Sequence, residues 1–289
     1  MFEITTILGD ITKFQCDAIV NSAHPSLLGK GGVDAAIHKA AGQELTDECR
    51  SLHGCDVGKA KITKAYKLPA RYVIHTPGPS WQGGNNHEME LLASCYHSSL
   101  LLAEKYECRA IAFPSIGTGI YHFPIGLAAE TAVSTVLDFY MDHNTPLKIT
   151  FVCFDLETQM HYQEALNRQL VNRLVWLCTA SNWDKPAHGG ERPFIGLTSS
   201  IALNLTRWEG FGKYGDFIER SGRAIDQNIR NGETLDLNTC VATLICIHRE
   251  QYWNGGRSDV ITPRIMDGGI TKMAERIREL HHAAERIAD

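Results

Sequence analysis

The 289 residues contain no CxxC pair and no Cys/His quartet at zinc-site spacing. Nine cysteines, at positions 16, 49, 55, 95, 108, 153, 178, 240 and 246, are scattered and odd in number. That usage suits small buried hydrophobes in a reducing cytoplasm better than a disulfide-stapled secreted protein. No stretch approaches the roughly 20 apolar residues that span a bilayer. The first twenty residues, "MFEITTILGDITKFQCDAIV", lack a charged segment followed by an apolar run and read as a folded strand and turn rather than a secretion signal. A basic excess is also missing: 28 Lys and Arg stand against 33 Asp and Glu, a formal charge of −5. This argues against a general nucleic-acid binder. A site for one anionic small molecule remains open, because backbone amides bind anions without lysines. There is no internal repeat and no low-complexity tract.

What is present is a core-forming composition, 44% hydrophobic and 21% charged. Residues 1–172 alternate strand-like and helix-like patterns. Strands are expected at "FEITTI" (2–7), "CDAIVN" (16–21), "KAKITKAY" (59–66), "RYVIHTP" (71–77), "RAIAFPSI" (109–116) and "KITFVCF" (148–154). Several are continuous apolar runs, as in strands covered on both faces. "VDAAIHKAAGQEL", "EMELLASCYHSSLLLAEKY" and "LAAETAVSTVLDFYMDH" lie between them as amphipathic helices, with Pro124 in the first turn of the last. The rhythm predicts an α/β fold, a mixed, mostly parallel sheet between two helical layers. Residues 173–192 turn polar and irregular, so a first domain is expected over 1–175 and a linker over 176–192. Residues 193–289 show no strand–helix alternation and predict a smaller, mainly helical domain, with Ile270, Met273, Ile277 and Leu280 on one helix face.

Two glycine clusters, "GKGGVD" (29–34) and "GTGIY" (117–121), each follow an expected strand and precede an expected helix. Such turns let backbone approach an anion, and the following helix adds unpaired N–H groups. On neighbouring strands of an open sheet, two of them can grip a pyrophosphate from both sides. Neither satisfies the P-loop or the GxGxxG pattern. Taken singly, each is common structural punctuation.

With its neighbours, the pattern is more specific. "GDIT" (9–12), "DAIVNSAHPSLLGKGGVDAAIHKAAG" (17–42), "GKAKIT" (58–63), "LPARYVIHTPGP" (68–79) and "IAFPSIGTGIYHFP" (111–124) together resemble the macrodomain family, in particular its MacroD-type branch of ADP-ribose hydrolases. The likeness runs over about 165 residues in order. It implies an ADP-ribose ligand, free or attached to protein, and no metal or cofactor.

By that resemblance, Asp10 bonds the adenine amino group and Ile11 adds a backbone contact; an Asx turn is the alternative for Asp10. Phe154 is placed to stack on adenine, with an ordinary core phenylalanine as the alternative. Gly29, Gly31, Gly32 and Val33 wrap the diphosphate and distal ribose. Ser115, Gly117, Thr118, Gly119 and Ile120 supply amides from the other side, and Tyr121 covers the distal ribose. Asp34 lies beside that ribose as a general base, the alternative being an acid that favours the helix dipole. Where this branch usually shows "NAAN", the chain has "NSAH", leaving Asn21 and then His24, whose imidazole either enters the pocket as a further acid/base or turns away. "IGTG" also replaces the commoner "ISTG" at Gly117. The resemblance implies removal of mono-ADP-ribose from acidic side chains, deacetylation of O-acetyl-ADP-ribose, or both; the rivals are a non-catalytic reader, an interaction scaffold and a phosphatase on ADP-ribose 1″-phosphate. "TLICIHREQYWNGG" faintly resembles a helical domain of unknown function in bacterial proteins, suited to a partner or to self-association.

Overall fold

The computed structural model describes residues 3–143 and 146–179, and beyond them positions 240, 243, 273, 275–277, 279 and 280. Two compact units result, Phe2–Leu166 and one made of Asn167–Asp289 with Met1. In the first, all six expected strands form, β1 and β2 displaced by one and two residues from their expected runs and the other four shorter than theirs: β1 Glu3–Leu8, β2 Ala18–Ala23, β3 Lys61–Lys64, β4 Tyr72–Pro77, β5 Ala110–Phe113 and β6 Lys148–Cys153. They make one sheet in the order β1-β6-β5-β2-β4-β3. Only β3 runs antiparallel, against β4; every other pairing is parallel.

Period-two alternation sends successive residues to opposite faces. Ile19, Val73, Ala112 and Val152 join Ile37, Ala41 and Leu45 in one apolar cluster. Those last three come from helices α1 (Gly32–Ala41) and α2 (Gln43–Ser51). Phe113 and Phe151 go the other way, meeting Tyr96 of α3 (Glu88–Lys105) at 5.1 Å and Tyr162 of α5 (Leu156–Thr179) at 4.9 Å between ring centroids. The two tyrosine hydroxyls bond at 3.0 Å. A further helix, α4, spans Ile125–Asp142. The expected three layers are therefore present.

Two helical readings change. The run "VDAAIHKAAGQEL" is broken at Gly42, whose φ of 96° lets the chain leave α1 and start α2. Residues 173–179, read as the start of an irregular stretch, continue α5, so the boundary expected at 175–176 falls inside a helix. Pro124 is the N-cap of α4, just ahead of its first turn. All described positions beyond 179 are helical; Met273 and Ile277 are buried while Glu275 and Glu279 are exposed, the sidedness expected there. Residues 248–256, "HREQYWNGG", Ile270 and residues 180–192 of the expected linker lie outside the described residues. Among the described residues, no helix is long and apolar enough to cross a membrane.

Candidate functional site

A cavity of about 530 Å³ opens beyond the carboxyl ends of β1, β6, β5 and β2, four consecutive strands in the sheet. This is where open α/β sheets bind ligands, and the volume suits a small molecule. The turn after β1 brings Asp10 and Ile11, and the end of β6 brings Phe154. The loop after β2 brings His24, Gly31, Gly32, Val33 and Asp34. The loop after β5 brings Ser115, Gly117, Thr118, Gly119, Ile120 and Tyr121. A Cβ on Gly31 would lie 4.0 Å from Ile120 Cδ1, so the two glycine loops face each other across the opening. Sheet order sets Asp10 and Phe154 at one end and His24 and Asp34 at the other.

Two expected residues sit off the wall. Gly29 packs behind it, on the ring of His38. Asn21 is fully buried beneath it and meets the site only through Asp34. Sequence reasoning passed over Thr12, Ser22, Asp155 and Thr158, which also line the cavity. The Asp-x-x-Thr spacing of the last two, an N-cap signature, was the available signal, and Asp155 Oδ1 does accept from the Thr158 amide at 2.8 Å.

Each expected residue can now be placed. Asp10 makes the Asx turn: its Oδ1 accepts from the Thr12 amide at 2.9 Å and the Thr12 hydroxyl at 2.7 Å, and the hydroxyl bond leads in holding its carboxyl below the usual range. Phe154 is no core residue; it is 85% exposed. Tyr121 is anchored by its carbonyl, which accepts from the Trp81 amide at 2.9 Å, while the Trp81 ring packs on Phe123 at 4.7 Å. His24 lines the cavity, and its Nδ1 accepts from the Ser26 amide at 3.1 Å. A backbone N–H can only donate, so in the neutral ring the proton sits on Nε2.

Asp34 is 2% exposed although it stands in the first turn of α1. Its carboxylate does not serve that helix's own amides. Oδ1 accepts from Asn21 Nδ2 at 2.8 Å; Oδ2 accepts from the amides of His24 at 3.2 Å and Lys30 at 3.0 Å. It therefore ties both ends of the first glycine loop together. A carboxylate offers about four acceptor positions, and these bonds fill three. His38 Nε2 lies 3.6 Å from Oδ1, the oxygen with the unfilled position.

Among the described residues, the cavity wall carries three carboxylates, Asp10, Asp34 and Asp155, and no lysine or arginine. Anion binding here falls to main-chain amides. Below the site, His38, Cys49 and His75 bring potential metal-ligating atoms within 4.8 Å of one another. Two of them also meet other groups: His75 Nε2 lies 2.9 Å from Thr63 Oγ1 and 3.6 Å from Cys49 Sγ. Burial pushes the Cys49 thiol up to about 12. His38 Nδ1 lies 2.9 Å from Thr46 Oγ1, while its Nε2 is buried without a hydrogen-bond partner.

Burial also pushes His75 down to about 3, with His38 as the lesser cause. The folded protein then binds fewer protons there than the unfolded chain between that value and the ordinary 6.5. Stability is whole above 6.5 and falls on acidification at up to about 1.4 kcal/mol per pH unit from this group. Denaturant titrations from pH 7 to 4 should show that loss, and a midpoint flat across this range would contradict it.

The Macro domain family profile matches residues 20–132. A Macro domain-containing protein of Lactiplantibacillus plantarum is 55% identical over 167 residues, covering 57% of this chain and 97% of the relative. An O-acetyl-ADP-ribose deacetylase of Salmonella gallinarum is 50% identical over 170 residues, covering 57% of this chain and 95% of the relative. The Oceanobacillus iheyensis macrodomain with ADP is a structural neighbour at 39% identity and TM-score 0.55, covering 58% of this chain and 91% of that one. The Trypanosoma brucei macrodomain in complex with ADP-ribose has 39% identity and TM-score 0.54, covering 57% and 69%. On sequence and fold alike, this chain belongs to the Macro domain family.

Proposed function

We propose that this macrodomain binds ADP-ribose and hydrolyses carboxylic esters of its distal ribose, with O-acetyl-ADP-ribose and mono-ADP-ribosylated acidic side chains as the two substrate types. Both are carboxylic esters of the distal ribose, at different ring positions, so attack on the acyl carbon serves both. The observation that carries the reading is a cavity walled by two facing glycine loops, with an exposed aromatic at one end and a buried carboxylate at the other. The Salmonella relative's name and the ADP-ribose complex of the trypanosome neighbour point the same way.

In this reading adenine stacks on Phe154 beside Asp10, and the pyrophosphate lies between the first-turn amides of α1 and the loop 115–121. The distal ribose reaches Asp34 and His24. A water bound to the unfilled position of Asp34 attacks the ester carbonyl carbon and gives its proton to the carboxylate. The carbon–oxygen bond to the ribose breaks, the ribose hydroxyl recovers a proton, and the acid leaves. Neutral His24 offers its Nε2–H to an oxygen at that ribose. Asn21 acts through Asp34 and is a positioning residue. The region 193–289 is assigned as an accessory domain that brings a protein partner or a second copy. Incubation with O-acetyl-ADP-ribose, followed by chromatography of the products, tests the activity; intact ester after prolonged incubation with bound nucleotide would leave a reader of ADP-ribose.

Two measurements probe the ligand grip. Phe154→Ala should weaken ADP-ribose binding by ~1–3 kcal/mol, the usual contribution of base–aromatic stacking. Thermal stability should stay unchanged, since the ring is 85% exposed. Equal calorimetric affinities for variant and wild type would remove Phe154 from the site. Because no lysine or arginine among the described residues lines the cavity, affinity for ADP-ribose should not fall between low and moderate salt. A steep loss of affinity with salt would reveal a cation that this wall does not contain.

A further inference from the structure

Beneath the cavity floor, a chain of polar side chains has its proton positions settled by its ends. Asn21 of β2 and His75 of β4 are paired in register on adjacent parallel strands, and both are fully buried. Asn21 Nδ2 lies 2.8 Å from Asp34 Oδ1 and 3.1 Å from His75 Nδ1. The carboxylate can only accept, so the amide must present its NH2 group there, and its second proton goes to His75 Nδ1. His75 is then the Nε2–H tautomer. That proton points at Thr63 Oγ1, 2.9 Å away, whose own hydroxyl donates to the Lys64 carbonyl at 3.1 Å.

The arrangement has a cost. Asn21 Oδ1 is buried with no hydrogen-bond partner. Turning the amide over would oppose its oxygen to the carboxylate and to the Nδ1 lone pair together. An orphaned buried acceptor of this kind asks for an explanation, and the orientation of Asp34 supplies one.

We propose that His75 is a positioning residue: as a buried neutral acceptor it locks the Asn21 amide, which in turn fixes the orientation of the Asp34 carboxylate at the distal end of the cavity. The effect on turnover rests on the hydrolase reading above; the hydrogen-bond chain does not. His75 touches no ligand. Its loss therefore acts on the rate and spares affinity.

The test has two arms on the full chain. Imidazole nitrogen NMR of the wild type should show His75 neutral with its proton on Nε2 at pH 7, and Asn21→Ala should shift the Nδ1 resonance. A proton on Nδ1, or no response to Asn21→Ala, overturns the chain itself. In the kinetic arm, His75→Leu should lower kcat for O-acetyl-ADP-ribose by ~10- to 100-fold, the scale of a small misplacement of a reacting group. The Kd for ADP-ribose should stay within threefold. His75→Asn, which sets an amide oxygen near the place of Nδ1, should recover most of the lost kcat. Equal kcat in wild type and His75→Leu, or parallel losses of kcat and affinity that His75→Asn does not repair, overturns the positioning role. If the wild type hydrolyses neither ester while the NMR arm holds, the hydrolase reading fails and the chain stands.

Discussion

Asp34→Ala should lower ester hydrolysis by ~10²- to 10⁴-fold, the range over which a positioned acid or base contributes. The same substitution removes the acceptor of three N–H groups: one on Asn21 Nδ2, whose other proton still meets His75 Nδ1, and the amides of His24 and Lys30. Each unsatisfied buried donor costs ~1–3 kcal/mol, although the loop can relax toward water and recover part of it. Asp34→Asn does not restore the site despite its matching shape. Its NH2 group must face either the Asn21 amide or the pair of loop N–H groups, donor against donor in both cases. The readout is therefore paired. Single-turnover rates for O-acetyl-ADP-ribose report the chemistry, and calorimetry with ADP-ribose reports the loop. Lost turnover with retained binding identifies Asp34 as the base. Joint loss of both would make it a strut of the loop alone, and wild-type turnover would remove it from the mechanism.

Gly29→Ala should be the most damaging single-methyl change in the first glycine loop. A Cβ there would stand 2.9 Å from His38 Cγ, and the backbone is at φ +70°, where a side chain costs ~1–2 kcal/mol. His38 has little room to withdraw: it is 8% exposed, and its Nδ1 is 2.9 Å from Thr46 Oγ1. Overpacking of this kind adds ~1–3 kcal/mol. The loop must lift, and the neighbouring bond from the Lys30 amide to Asp34 goes with it. A fall of several degrees in Tm and an ADP-ribose affinity reduced at least tenfold are expected. Gly119→Ala is the control for stability: the position has nothing within 4 Å and no positive φ. If both variants melt with the wild type, the ring of His38 does not confine the loop.

The parts of this molecule legible in sequence were those whose signal is local. Continuous apolar runs such as "RAIAF" read as strands covered on both faces, and the glycine clusters between a strand pattern and a helix pattern read as turns. What escaped depended on partners far along the chain. His38 and His75 drew no attention, because a lone histidine on an apolar face is usually a satisfied core residue. Their meaning lies in the β2–β4 register that sets His75 beside Asn21. Each of "AIVNSA" and "YVIHTP" does carry one bulky polar residue within its apolar run, and that pair of interruptions was the available clue. Phe154 was undecided between core and surface because the end of β6 offers either. The helix through 173–179 was hidden by the polar, glycine-rich stretch that follows it.

The absence of basic side chains from the cleft wall bears on which nucleotides it admits in a cell crowded with ATP. Each added phosphate brings charge that no ammonium or guanidinium is there to offset, next to three acids that repel it. Mutual repulsion of this kind should set a triphosphate at a disadvantage to a sugar-terminated diphosphate, without any steric gate.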